Sequence, residues 1–244
     1  MKIAIISAIL STLCFANAVA EPLEKMPRDL EVKFALSALP TEARAEATVY
    51  VLDPAKGYVL DHRGTNAQTC FVERTDWTRE DYSNDVYTAL CYDPVGMKAQ
   101  GKVWFDVAEM RASGKPPSEL KKEIQKRFDD GTYHAPERPG VSYMSAPLMR
   151  TYASFDLAHK EKRTYVMPHV MYYAPYIKDA DYGSKGPGSP FPFILDQGPH
   201  GYFIQTLGVK ETEDILKTEA PLIKELCAYK NTLCLTEESS MHSH

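Results

Sequence analysis

Thr69-Cys-Phe-Val-Glu-Arg74, answered by Tyr87-Thr-Ala-Leu-Cys-Tyr92, reads as two β-strands rich in the branched and aromatic residues that suit a pleated surface. Each strand carries one cysteine. Pairing the strands brings Cys70 and Cys91 within reach of a disulfide, a staple across one small sheet. Asp93-Pro94 ends the second strand. Upstream, Ala47–Asp53 is a further strand, Pro54–Gly57 a turn, and Tyr58–Arg63 another strand. Asp29–Leu39 reads as a short helix closed by Pro40, which has no N–H with which to continue it.

Downstream the apolar period changes from two to nearly four. Val103, Val107 and Met110 recur at helical spacing up to Gly114, and Leu120, Ile124 and Phe128 up to Gly131. Each glycine stands where a helix commonly ends in left-handed backbone. The chain then returns to strands at Val141–Tyr152, His169–Tyr173, Phe191–Leu195 and Tyr202–Leu207. Nine of the 17 prolines fall between Pro136 and Pro199, which makes these strands short, edge-lying or bulged. Residues 183–190 form a Gly/Pro-rich loop long enough to cover a pocket, and Glu211–Lys217 and Pro221–Tyr229 are short helices. The expected class is α+β: a mixed, mostly antiparallel sheet with two central helices and short C-terminal helices, stapled by disulfides. A single domain is expected over residues 21–208, a helical extension over 209–235 and a disordered tail over 236–244.

The first 20 residues set the compartment. Lys2 precedes the apolar run Ile3–Phe15, and Ala18-Val-Ala20 fits the small-x-small rule of signal peptidase, so cleavage is expected after Ala20. Leu13 stands before Cys14 where a lipoprotein signal wants a small residue, which argues against a lipid anchor. Lys2 is the leader's one charged residue, so the net charge of −5 becomes −6 after its removal. With no dominant basic patch, nucleic acid is not an expected partner, and no later apolar run is long enough for a membrane span. The chain is read as a periplasmic or secreted bacterial protein of open oligomeric state. In that oxidising setting Cys70, Cys91, Cys227 and Cys234 read as disulfides, and sequence proximity favours Cys70–Cys91 and Cys227–Cys234.

Four motifs are distinctive as text: Gly64-Thr-Asn-Ala-Gln-Thr-Cys-Phe-Val-Glu-Arg74, Arg138-Pro-Gly-Val-Ser-Tyr-Met144, Pro168-His-Val-Met-Tyr-Tyr-Ala-Pro175 and Gly198-Pro-His-Gly-Tyr202. Through them, residues 44–208 resemble a group of exported bacterial proteins of uncharacterised function. The resemblance implies export and carries no activity with it.

The chemistry must therefore come from the residues. There is no Gly-x-Ser-x-Gly elbow, and Ser118-Glu-Leu-Lys121, which matches a Ser-x-x-Lys motif, lacks the companion Lys-Thr-Gly. Met167, His169 and Met171 alternate on one face of an extended segment, a thioether and imidazole set that suits Cu(I). His200 with Asp181 would instead suit zinc, and His169, Asp181 and His200 together would be the metal ligands of a metal-assisted hydrolase. Against both stands the plainer reading of core methionines and a backbone-bonded histidine. Tyrosines crowd the second half, and Tyr143, Tyr173 and Tyr202 are the candidates to line a pocket for a small ligand. The leading expectation is non-enzymatic binding of a small ligand in a Tyr/His/Met-lined pocket within residues 141–205. The alternative is a copper- or zinc-binding envelope protein, and no cofactor is required by either the composition or the motifs.

Overall fold

The cysteine-bearing strands lie inside an eight-stranded sheet in the structure, a computed structural model that describes residues 23–183 and 192–240. The leader read over residues 1–20 and all of the loop at 183–190 except Gly183 lie outside the described residues.

The strands are β1 (Thr48–Asp53), β2 (Gly57–His62), β3 (Thr69–Glu73), β4 (Thr88–Tyr92), β5 (Val141–Met144), β6 (Met149–Tyr152), β7 (Lys162–Tyr165), β8 (His169–Tyr173), β9 (Phe193–Asp196) and β10 (Tyr202–Thr206). The large sheet runs β2-β1-β3-β4-β5-β8-β10-β9, antiparallel except where β1 and β3 pair in parallel. The segment Val141–Tyr152, read as one strand, is two. Ser145–Leu148, with Pro147, interrupts it, and β6 pairs with β7 in a separate ribbon bridged to Tyr87 through Arg150. Proline lacks the donor that would continue the ladder.

The α-helices are α1 (Arg28–Ser37), α2 (Thr41–Arg44), α3 (Pro94–Gly96), α4 (Lys102–Ala112), α5 (Pro117–Asp129), α6 (Asp179–Tyr182), α7 (Val209–Thr218), α8 (Ala220–Tyr229) and α9 (Glu237–Ser240). The two central helices expected from the periodicity are α4 and α5, and Gly114 and Gly131 that follow them have φ of +78° and +76°. A π-helical turn, Met97–Gly101, leads into α4. Among the described residues no helix is long and apolar enough to cross a membrane.

The two faces of the sheet carry two cores. Alternation along β3 sends Cys70 and Val72 to one face and Phe71 and Glu73 to the other. On the first face α1 lays Leu30, Phe34 and Ala35, with Ala38 just past its end, over Val49, Cys70, Val72, Ala89 and Cys91. Leu222, Leu226 and Leu233 complete that same core, so the C-terminal segment read as an extension is part of the main body. Its end is ordered further than expected, since Val166 N–H bonds the Ser239 carbonyl in α9. On the second face α4 covers the sheet, and Val103, Val107, Leu120 and Ile124 seal α4 to α5.

Both disulfides expected from sequence proximity are present. Cys70 and Cys91 are direct cross-strand partners with Cα atoms 4.1 Å apart, and Cys227 and Cys234 join the end of α8 to the turn after it.

Candidate functional site

The ladder between β8 and β10 decides the fate of the histidine pair. His169 is opposite Thr206, while Tyr202, two residues after His200, is opposite Tyr173. Four residues of strand separate these pairs, about 13 Å at 3.3 Å per residue, and His200 lies beyond the far end. The two rings therefore do not share a site.

Each histidine has its own structural surroundings. His169 is buried, its Nδ1 lies 2.7 Å from the Met167 carbonyl oxygen, and burial holds its pKa below the ordinary range. His200 stands edge-on to Phe128 of α5 with ring centroids 4.9 Å apart. Burial lowers its pKa too, while the neighbouring Asp196 works the other way. Asp181 turns back to accept the Lys178 N–H at 3.0 Å, and Met171 is a core residue between Ser142 and Ile204. Among the described residues no group of three or more His, Cys, Asp or Glu side chains could hold a metal. The zinc set of His169, Asp181 and His200 is thus dispersed, while Met167, His169 and Met171 stay together at the start of β8, with Met171 packed into the apolar core.

The tyrosines divide differently. Tyr143 packs against the α1-facing core, while Tyr173 and Tyr202 face α4 with ring centroids 6.1 Å apart. Tyr143 is separated from them because it is out of phase with its neighbours Ser142 and Met144.

Around Tyr173 and Tyr202 the α4-facing side carries a cluster of aromatic residues. Tyr92 accepts a 2.9 Å hydrogen bond from Trp104 Nε1 and stacks on Phe71 at 5.7 Å, and Tyr58 leans on Phe71 at 4.8 Å. Tyr92 and Tyr173 meet over Gly96, where an added Cβ would lie 2.9 Å from one ring and 3.0 Å from the other. On the far side Trp77 stacks on Phe128, which meets His200. Phe71 and Trp77 thus belong to separate clusters, and Glu73 lies between them in sequence.

Glu73 is the residue that reading by motif missed. It is half-buried, and among the described residues its carboxyl has neither hydrogen bond nor ion pair. Burial pushes its pKa well above the usual carboxylate range, and the nearby Asp76 charge adds to the rise. Burial likewise raises the phenols of Tyr58, Tyr92 and Tyr202, and the Glu73 charge adds to each. Directly across the ladder stands Thr88, 2% exposed, whose Oγ1 has no partner among the described residues. The Glu73 carboxyl is thus largely desolvated at the edge of the aromatic cluster. The available signal was simple: Phe71 and Glu73 share a strand face, and a charged residue on a core-facing position requires a reason.

A concavity of about 280 Å³ lies along the β6–β7 ribbon beside Arg150, Lys162, Arg163, Thr232 and Ser239. Its cations are already engaged, Arg150 with Asp85, Lys162 with Asp81 and Arg163 with Glu161. It offers paired charge rather than free binding groups. No protein-family model matches the chain, and neither do the curated proteins or the solved structures compared with it.

Proposed function

We propose that this is an exported, non-enzymatic protein that binds a small ligand at the aromatic cluster of Tyr92, Tyr173 and Tyr202 beside Glu73. One observation carries the reading: Thr88 Oγ1, buried and without a partner among the described residues, stands directly across the ladder from Glu73, whose carboxyl burial pushes well above the usual carboxylate range. Such groups are costly unless something completes their hydrogen bonds. The proposed site keeps Tyr173 and Tyr202 from the second half of the chain and recruits Tyr58, Glu73, Thr88 and Tyr92 from the first. Dispersal of the histidines argues against the zinc and metal-assisted alternatives, and the core position of Met171 with the engaged Nδ1 of buried His169 argues against copper.

Export is supported by the leader, by two disulfides that fit an oxidising compartment, and by the resemblance to exported bacterial proteins. Intact mass of protein recovered from the periplasm tests it, the expected mature N-terminus being Glu21. A form retaining Met1, or carrying lipid on Cys14, would contradict it.

For the ligand, the test is a thermal-shift screen of small metabolites against the mature protein and Glu73→Leu. A true ligand at about 100 times its Kd should stabilise the native protein by about 2.7 kcal/mol. The variant should lose that gain. If no compound distinguishes the two proteins, the site reading falls.

A further inference from the structure

We infer that the Cys227–Cys234 disulfide is a redox-sensitive clasp: a small thiol entering the concavity beside the β6–β7 ribbon exchanges with it at Cys234 and loosens the segment beyond.

The two disulfides differ in access. Cys70 and Cys91 have no exposed surface and lie under α1 in the core. Cys227 and Cys234 are both half-buried, and Cys234 is among the residues that line the concavity of about 280 Å³. Exchange needs a thiolate to reach a sulfur, so access decides which bridge reacts and at which end. The volume lies just below the roughly 300–1,000 Å³ of pockets for drug-sized ligands, which suits a thiol of a few carbon atoms. Arg150, Lys162 and Arg163 in the walls each face a carboxylate, so access rather than charge selects the reactant.

The step balances with two thiols. The first, as thiolate, bonds to Cys234 Sγ, the bond between the two sulfurs breaks, and its electron pair leaves on Cys227, which takes a proton from water. A second thiolate attacks the outer sulfur of the mixed disulfide and frees Cys234. Two thiols are oxidised to a disulfide, the clasp is reduced, and the protons they lost end on the two cysteines.

The surroundings let the clasp open in the folded protein. Cys227 is carried by α8, which Leu222 and Leu226 fix in the core. The 3₁₀ turn Asn231–Leu233 has anchors of its own: Thr232 Oγ1 donates to Asp85 Oδ1 at 2.7 Å, the Thr232 carbonyl accepts from Thr164 Oγ1 of β7, and Leu233 is buried. Beyond the turn, residues 234–240 are held by packing of Leu235 and by the bond from Val166 N–H to the Ser239 carbonyl. Thr236 and Ser239 of that segment line the concavity, so loosening it opens the wall through which the thiol entered.

The experiment holds oxidised mature protein with excess 2-mercaptoethanol near pH 8 without denaturant, traps free thiols with iodoacetamide and maps the peptides by mass. The expected order is a mercaptoethanol adduct on Cys234, then free thiols at Cys227 and Cys234, at least about tenfold faster than any opening of Cys70–Cys91. Hydrogen exchange at the Cys234 and Ser239 amides, which bond the Asn231 and Thr236 carbonyls, should then quicken at least about tenfold while β3 and β4 stay unchanged. Cys227→Ser combined with Cys234→Ser should show the same fast exchange with no thiol added. Opening of both bridges together, opening of neither, an adduct on Cys227 ahead of Cys234, or unchanged amide exchange after opening would each overturn the clasp.

Discussion

Glu31 shows how a single residue reads two layers of structure at once. It sits on α1 with 1% of its surface exposed and accepts the Leu52 N–H at 2.7 Å. Burial raises its pKa from 4.5 to about 7, with the Leu52 hydrogen bond and the Arg74 charge opposing the rise. A carboxyl with a raised native pKa binds more protons folded than unfolded between those two values. Its contribution to stability therefore falls as pH climbs from 4.5 to about 7, then stays level. His169 and His200 act in the opposite sense, because their lowered native pKa values cost stability as pH falls below the ordinary histidine range. Glu31→Gln keeps an acceptor for Leu52 and removes the titration. Urea midpoints across pH 5–8 should show the wild type losing up to about 3 kcal/mol relative to the variant over this window. A constant difference across that range would mean Glu31 has an ordinary pKa.

At the scale of elements, α8 carries the clearest expectation. A helix near a chain end often frays, yet Leu222 and Leu226 of α8 are buried in the core that contains Cys70 and Cys91. Leu226→Ala should cost about 2–5 kcal/mol in urea unfolding, whereas Val209→Ala on the exposed start of α7 should change stability by less than about 0.5 kcal/mol. Equal small effects would detach α8 from the main core. The strand elements teach a related lesson. The period-two pattern of β3 is legible residue by residue, but which face meets α1 and which meets α4 follows from the order of strands, not from the pattern itself. That is why Tyr143 could be grouped with Tyr173 and Tyr202 by type and still lie on the other side of the sheet.

For the whole molecule, the two disulfides should contribute unequally. Cys70–Cys91 spans 21 positions and Cys227–Cys234 spans 7, which by loop entropy favours the first by about 1 kcal/mol. Both cysteines of the first pair are fully buried, so removing them also disturbs packing. Paired Cys→Ala variants compared by urea unfolding should rank in that order, and the reverse ranking would show that tethering α8 matters more than stapling the sheet. The gap should be moderate, because α8 is itself part of the core.

Local sequence by itself determined the element types around β3 and β4, the periods of α4 and α5, the glycine stops at Gly114 and Gly131, and both disulfide pairings. Each depends on side-chain spacing or on short loops, which the neighbouring residues alone specify. The grouping of functional side chains lay beyond that reach. His169 and His200 looked alike in sequence, bracketed by proline or glycine, and the register of β8 on β10 put them at opposite ends. Glu73 looked like one acid among 33, and only the packing of helix and sheet around β3 desolvated its carboxyl and left it with neither hydrogen bond nor ion pair among the described residues. Proximity between distant parts of a chain is set by strand order and packing, long-range properties that a linear pattern does not encode.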